Sequence, residues 1–136
     1  MTDAFPITVY HNPDCGTSRN TLAMIVAAGY APRVVAYLDA GWTRAQLGDL
    51  LAAMGATARD ILRDKGSPAA ELGLLDEAVS DEAILDAMIA HPILVNRPIV
   101  VTPKGTKLCR PSEQVLALLD RLPDRFAKED GAVVRP

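Results

Sequence analysis

The sequence predicts an α/β fold: one small mixed β-sheet flanked by helices, with an all-helical insertion between a βαβ half and a ββα half. Three observations carry this expectation. Short β-branched runs lie near the start (Ile7-Thr8-Val9-Tyr10 and Arg33–Tyr37) and after Arg97. Between residues 43 and 92 the apolar residues recur at helical spacing instead. The length, 136 residues, is one domain's worth and allows one substantial core.

The elements follow in order. Ile7–Tyr10 reads as a strand cut off by His11-Asn12-Pro13-Asp14. After Cys15-Gly16-Thr17 a helix begins near Ser18, with Leu22, Ile25 and Val26 on its apolar side and Gly29 as its stop. Arg33–Tyr37 is a second strand, set off by Pro32. The connection is a βαβ crossover, so the two strands should be parallel. Thr43-Arg44-Ala45-Gln46 is a capping box opening a helix with Leu47, Leu50, Leu51 and Met54 inward and Gly55 at its end. A short helical piece at Ala58–Leu62 and a polar loop over 65–73 come next. Ser80 caps a helix with Asp81 and Glu82 in its first turn and Ile84, Leu85, Met88 and Ile89 on its buried side. Pro98–Thr102 and Thr106–Arg110 around Pro103-Lys104-Gly105 form a hairpin. Pro111 suits the first position of a last helix with Val115, Leu116 and Leu119 inward. The tail from about 123 is charged and proline-bounded, which predicts loose packing. The whole, 1–136, is expected to be one domain, and its element order resembles the thioredoxin-like architecture.

Composition excludes several classes. Hydrophobic residues make up 49% and charged residues 23%, the balance of a globular chain rather than a disordered one. Fourteen basic against 17 acidic residues leave a net charge of −3, which speaks against a nucleic-acid partner. No apolar run is long enough to span a membrane. Met1–Pro6 lacks the basic and apolar regions of a signal peptide. Two cysteines make no disulfide framework, so a reducing, cytoplasmic setting is expected. A monomer is expected too, for want of a heptad or an extended apolar patch.

The chemistry concentrates in the loop after the first strand, where open α/β sheets bind ligands at a helix N-terminus. Cys15 lies at that N-terminus, where free amides and the helix dipole stabilise a thiolate and can hold an oxyanion. Asn12, Gly16, Thr17, Ser18 and Arg19 shape the loop around it. His11 either reaches Cys15 or only hydrogen-bonds to the backbone. The spacing Cys15-x-x-Ser18 lacks the second thiol of a dithiol motif. A zinc site would need His11, Cys15, His91 and Cys109 at spacings that match no compact zinc module, so no metal is expected. Ten of the 14 basic residues are arginine. Arg97 and Arg110 stand at the ends of adjacent strands and Arg63 follows the short helical piece; planar guanidinium groups bind tetrahedral oxyanions through paired hydrogen bonds. By the thioredoxin-like pattern the Arg97–Pro98 bond is expected to be cis. Cys109 should point opposite Arg110 and serve packing.

Three segments now resemble a known family: His11-Asn12-Pro13-x-Cys15-Gly16-Thr17-Ser18-Arg19-Asn20, His91-Pro92-Ile93-Leu94-Val95-Asn96-Arg97-Pro98-Ile99-Val100 and Leu108-Cys109-Arg110-Pro111. They are similar to the glutathione- and glutaredoxin-dependent arsenate reductases, over about Ile7 to Glu129. The resemblance implies that Cys15 is the nucleophile, that His11 beside it helps lower its pKa, and that Arg63, Arg97 and Arg110 bind the oxyanion. It also implies a reaction sequence. The Cys15 thiolate attacks arsenate with loss of water, glutathione as co-substrate reduces arsenic to the trivalent state, and glutaredoxin removes the glutathione as arsenite leaves. No bound cofactor is implied. Two other readings share the fold: a glutathione-dependent thiol oxidoreductase, and a non-enzymatic regulator that binds RNA polymerase, which usually carries the Cys-x-x-Cys that Ser18 interrupts here.

Overall fold

Four short β-branched segments meet in one sheet. In the computed structural model, which describes residues 5–136, β1 (Thr8–His11) pairs in parallel with β2 (Arg33–Ala36) and antiparallel with β3 (Ile99–Thr102). Strand β4 (Gly105–Leu108) closes the hairpin on β3, giving the order β2-β1-β3-β4. Helix α1 (Gly16–Ala27) links β1 to β2, so the expected βαβ unit is present with parallel strands. Met1–Ala4, the start of the segment read as lacking a signal peptide, lie outside the described residues.

These elements belong to the first of two units into which the chain divides, the residues up to Ala36 together with Arg97–Pro136. Its core joins Ile7, just before β1, and the sheet residues Val9 and Val100 to Met24 and Ile25 of α1 and to Cys109, Val115, Leu118 and Leu119. The apolar stripe of α1 differs from the expected one. Val26 is 56% exposed, whereas Ser18, Thr21, Met24 and Ile25 are buried. Small hydroxyl residues thus extend the inward face, because Thr21 returns its own hydroxyl to the Thr17 carbonyl (2.8 Å).

After β4 the structure departs again from the α-helix expected behind Pro111. Ser112–Leu118 is a 3-10 helix. Its repeat of three residues turns Ser112, Val115 and Leu118 inward together and leaves Leu116 only partly buried. Pro111 precedes this helix, joined to Arg110 by a cis bond; the expected cis bond at Arg97–Pro98 is present as well. The tail is more ordered than its composition suggests. Strands β5 (Phe126–Ala127) and β6 (Val133–Val134) form a hairpin, and Phe126 and Val134 pack on the core.

The second unit, Tyr37–Asn96, is the helical insertion. Tyr37 begins the short helix α2 (Tyr37–Ala40) rather than ending β2, stacks on Trp42 and donates its hydroxyl to the Val95 carbonyl (3.2 Å). The predicted capping box is formed: Thr43 Oγ1 accepts from the Gln46 amide, and Gln46 answers at the Thr43 amide, opening α3 (Arg44–Met54). Gly55 ends α3 at φ +63°, a left-handed conformation that glycine adopts without a Cβ penalty. A short 3-10 turn, Arg59–Ile61, follows. The Arg59 guanidinium donates to the carbonyls of Leu74, Asp76 and Val79, so one side chain holds the loop that precedes α4 (Asp81–Ala90). Ser80 caps α4 through the Ala83 amide, as predicted. Pro92 does not only stop that helix; it opens a second 3-10 turn, Pro92–Leu94.

Candidate active site

β1 delivers the chain into a tight turn. The Asn12 carbonyl accepts from the Cys15 amide (3.1 Å), and the Asn12 side chain accepts from the Asp14 amide (2.9 Å). This double closure places Cys15 at the N-cap of α1 in extended conformation, with its carbonyl taking the first helical bond from Arg19 N (2.9 Å). No acidic residue stands in the first turn of α1 to offset the field of its free amides.

Cys15 is buried, 7% exposed as a residue. Burial pushes its pKa up, but the Ser18 backbone N–H, the Arg110 guanidinium and the charge and N–H groups of Arg97 outweigh it and hold the thiol below its ordinary range. Arg110 reaches the sulfur directly: Nη1 lies 3.6 Å from Sγ and 3.0 Å from the Arg97 carbonyl. The two arginines expected at adjacent strand ends therefore converge on one sulfur. The chain runs past the end of β4 through Cys109, whose amide donates to the Pro98 carbonyl (2.9 Å), before it presents Arg110.

Cys109 points the other way, as expected, although the strand predicted over Thr106–Arg110 ends at Leu108 and both Cys109 and Arg110 lie just past it. It is fully buried in the core with Met24, Ile25 and Val115. Burial pushes its pKa up to about 12, and no disulfide joins it to Cys15. It is a packed side chain without thiolate character.

His11 does not sit as a cation against Cys15. Its Nδ1 lies 2.6 Å from Ser18 Oγ, which also accepts from the Asn12 amide (3.1 Å). Burial, and then the charge of Arg19, lower the His11 pKa, which favours the neutral imidazole. Its connection to Cys15 runs through Ser18, whose hydroxyl ties β1, the loop and α1 into one piece while its amide faces the sulfur. Gly16 and Thr17 supply the first-turn amides of α1. Arg19 is engaged elsewhere: Nε and Nη2 hold the Glu129 carboxylate (2.8 and 2.9 Å), and Nη1 donates to the Pro13 carbonyl (2.8 Å). Nothing local in the sequence links residues so far apart, and Glu129 gave no signal there.

Arg63 lies in the second unit, where its Nε donates to the Lys65 carbonyl (2.8 Å). Its guanidinium lies against Gly66, where a Cβ would come within 2.7 Å and where φ is +74°. The positive φ is what calls for glycine at 66, and the Arg63 guanidinium folds over the turn it makes. Among the described residues no group of three or more His, Cys, Asp or Glu side chains could hold a metal ion, and no helix is long and apolar enough to cross a membrane.

Comparison with known proteins adds to this geometry. A sequence model of the ArsC family matches residues 10–118, which take in the end of β1, the cysteine loop, both arginine-bearing segments and the 3-10 helix at Ser112–Leu118. The chain is 62% identical over 129 residues to the arsenate reductase ArsI2 of Synechocystis sp., covering 94% of this chain and 92% of that one. It is 53% identical over 129 residues to an arsenate reductase of Escherichia coli K12, with the same coverage. Among solved structures, an arsenate reductase from Vibrio cholerae superposes with a TM-score of 0.80 at 40% identity, covering 86% of this chain and all of that one.

Proposed function

The chain belongs to the ArsC family, and from that premise we propose that it reduces arsenate to arsenite through the Cys15 thiolate. One observation carries the assignment of the nucleophile: a sulfur at a helix N-terminus, held below its ordinary pKa and touched by Arg110 at 3.6 Å. Arg97 and Arg110 offset the oxyanion's charge as the thiolate approaches, and Arg63 is proposed as the third arginine on the family resemblance. Preorganised donors of this kind are each worth about 3 kcal/mol in the transition state.

The electron count requires two thiols besides Cys15. Attack of Cys15 sulfur on arsenic forms an S–As bond and expels an arsenate oxygen as water, with arsenic still pentavalent. Reduction to the trivalent state takes two electrons, which two thiols supply by becoming one disulfide. Cys109 cannot be the partner, since it is buried in the core with a pKa pushed up to about 12. Ser18 has no thiol to offer. Cys15 is restored at the end, so both thiols come from outside the chain, and glutathione fits as the first: it displaces a further oxygen as water and bonds to arsenic. Glutaredoxin then attacks the glutathione sulfur, leaves as a mixed disulfide, and passes the electron pair to arsenic. Hydrolysis frees arsenite and restores Cys15. Two unpaired cysteines accord with a reducing cytoplasm, where we place the enzyme as a monomer that needs no bound cofactor.

The test is arsenate-dependent NADPH consumption coupled through glutathione, glutathione reductase and glutaredoxin, run beside Cys15→Ser. Turnover in the wild type alone supports both reaction and nucleophile. No turnover in either, with both folded, leaves the thiol-oxidoreductase reading or the polymerase-binding regulator.

A further inference from the structure

The C-terminal hairpin is fastened beside the cysteine loop by polar contacts on two sides. On one side Glu129 accepts two N–H groups from Arg19, and its own amide donates to Asn20 Oδ1 (3.1 Å). On the other, Lys128 pairs with Glu113 at the start of the 3-10 helix. Arg19 uses its remaining nitrogen on the Pro13 carbonyl, two residues before Cys15. The path from tail to sulfur is thus short: carboxylate, guanidinium, loop backbone. The hairpin lies beyond the residues that the family's sequence model matches.

We infer that Glu129 is a positioning residue that acts on Cys15 through Arg19. It does so in two ways. A bidentate carboxylate fixes the guanidinium plane, so that Nη1 stays on the Pro13 carbonyl and the turn before Cys15 keeps its shape. The same carboxylate also cancels a positive charge that would otherwise act on the sulfur alongside Arg97 and Arg110. The charged and titratable groups around Cys15 are His11 on β1, Asp14 in the loop, Arg19 on α1, and Arg97 and Arg110 at the strand ends; Arg19 is paired with the Glu129 carboxylate. Glu129 therefore limits how far the thiolate is stabilised. An over-stabilised thiolate is a weaker nucleophile, and the pairing leaves oxyanion binding to Arg97 and Arg110.

This inference rests on Cys15 being the reactive thiol. It is tested by the pH dependence of Cys15 alkylation by iodoacetamide, followed by mass, in the wild type, Glu129→Gln and the double variant Arg19→Gln/Glu129→Gln. Loss of the charge in Glu129→Gln should lower the alkylation midpoint by about 0.5 pH unit, about threefold in rate below the midpoint. The double variant, which removes the cation as well, should return the midpoint to the wild-type value. A Glu129→Gln midpoint that stays put, whether or not the melting temperature falls, overturns the inference and leaves Glu129 as a fastening of the tail. A wild-type Cys15 that titrates as an ordinary thiol would instead sink the reading of Cys15 itself.

Discussion

Two cysteines in one chain show how placement decides chemistry. Cys15 stands at a helix N-terminus against Arg110, and Cys109 stands in an apolar core with its pKa pushed up to about 12. Replacing Cys15 by Ser should abolish arsenate turnover with the fold intact, whereas Cys109→Ala should keep turnover and cost about 1 kcal/mol of stability from a small cavity. Activity lost with Cys109 would mean that a second internal thiol takes part. Arg97→Ala and Arg110→Ala should each lower kcat/KM for arsenate about a hundredfold or more, with little change in melting temperature. Unchanged kinetics in both would misplace the site. Most of this was legible from sequence, because a cysteine before a helix and an arginine before a proline are local patterns. The link from His11 to Ser18 was not, since which ring nitrogen meets which neighbour depends on three segments folding together.

Elements were legible where caps and periodicity agreed. The Thr43 capping box and the Ser80 cap both form as their residues imply. The apolar stripe of α1 was misjudged at Val26, because hydrophobicity alone cannot tell that Ser18 and Thr21 turn inward with their hydroxyls satisfied. Side-chain truncation reads this directly. Met24→Ala should cost about 2–5 kcal/mol in urea unfolding and Val26→Ala about 0.5 or less. Comparable losses at both positions would put the stripe back where periodicity had it. The 3-10 helix at Ser112–Leu118 and the hairpin of β5 and β6 escaped notice for a related reason. The apolar pattern of the first fits either helical period, and the second owes its order to contacts with residues about a hundred positions earlier.

For the whole molecule, the folding equilibrium inherits the titration of Cys109. Its pKa rises from 9.0 to about 12 on folding, so between those values the native state keeps a proton that the unfolded chain has lost. The stabilisation is complete below pH 9 and disappears as pH climbs towards 12, by about 1.4 kcal/mol per unit. Urea unfolding at pH 8 and 10.5 should therefore show a loss about 2 kcal/mol smaller in Cys109→Ala than in the wild type; equal losses would refute it. The strand order β2-β1-β3-β4 has a different consequence, for biosynthesis. Cys15 emerges from the ribosome 95 residues before Arg110, and the helical unit Tyr37–Asn96 is made in between. Throughout that interval Arg97 and Arg110, two of the groups that hold the thiol down, have not been translated, and of its three sources of stabilisation only the Ser18 amide is already in the chain. The proposed centre is complete only when the last third of the polypeptide zips onto the first.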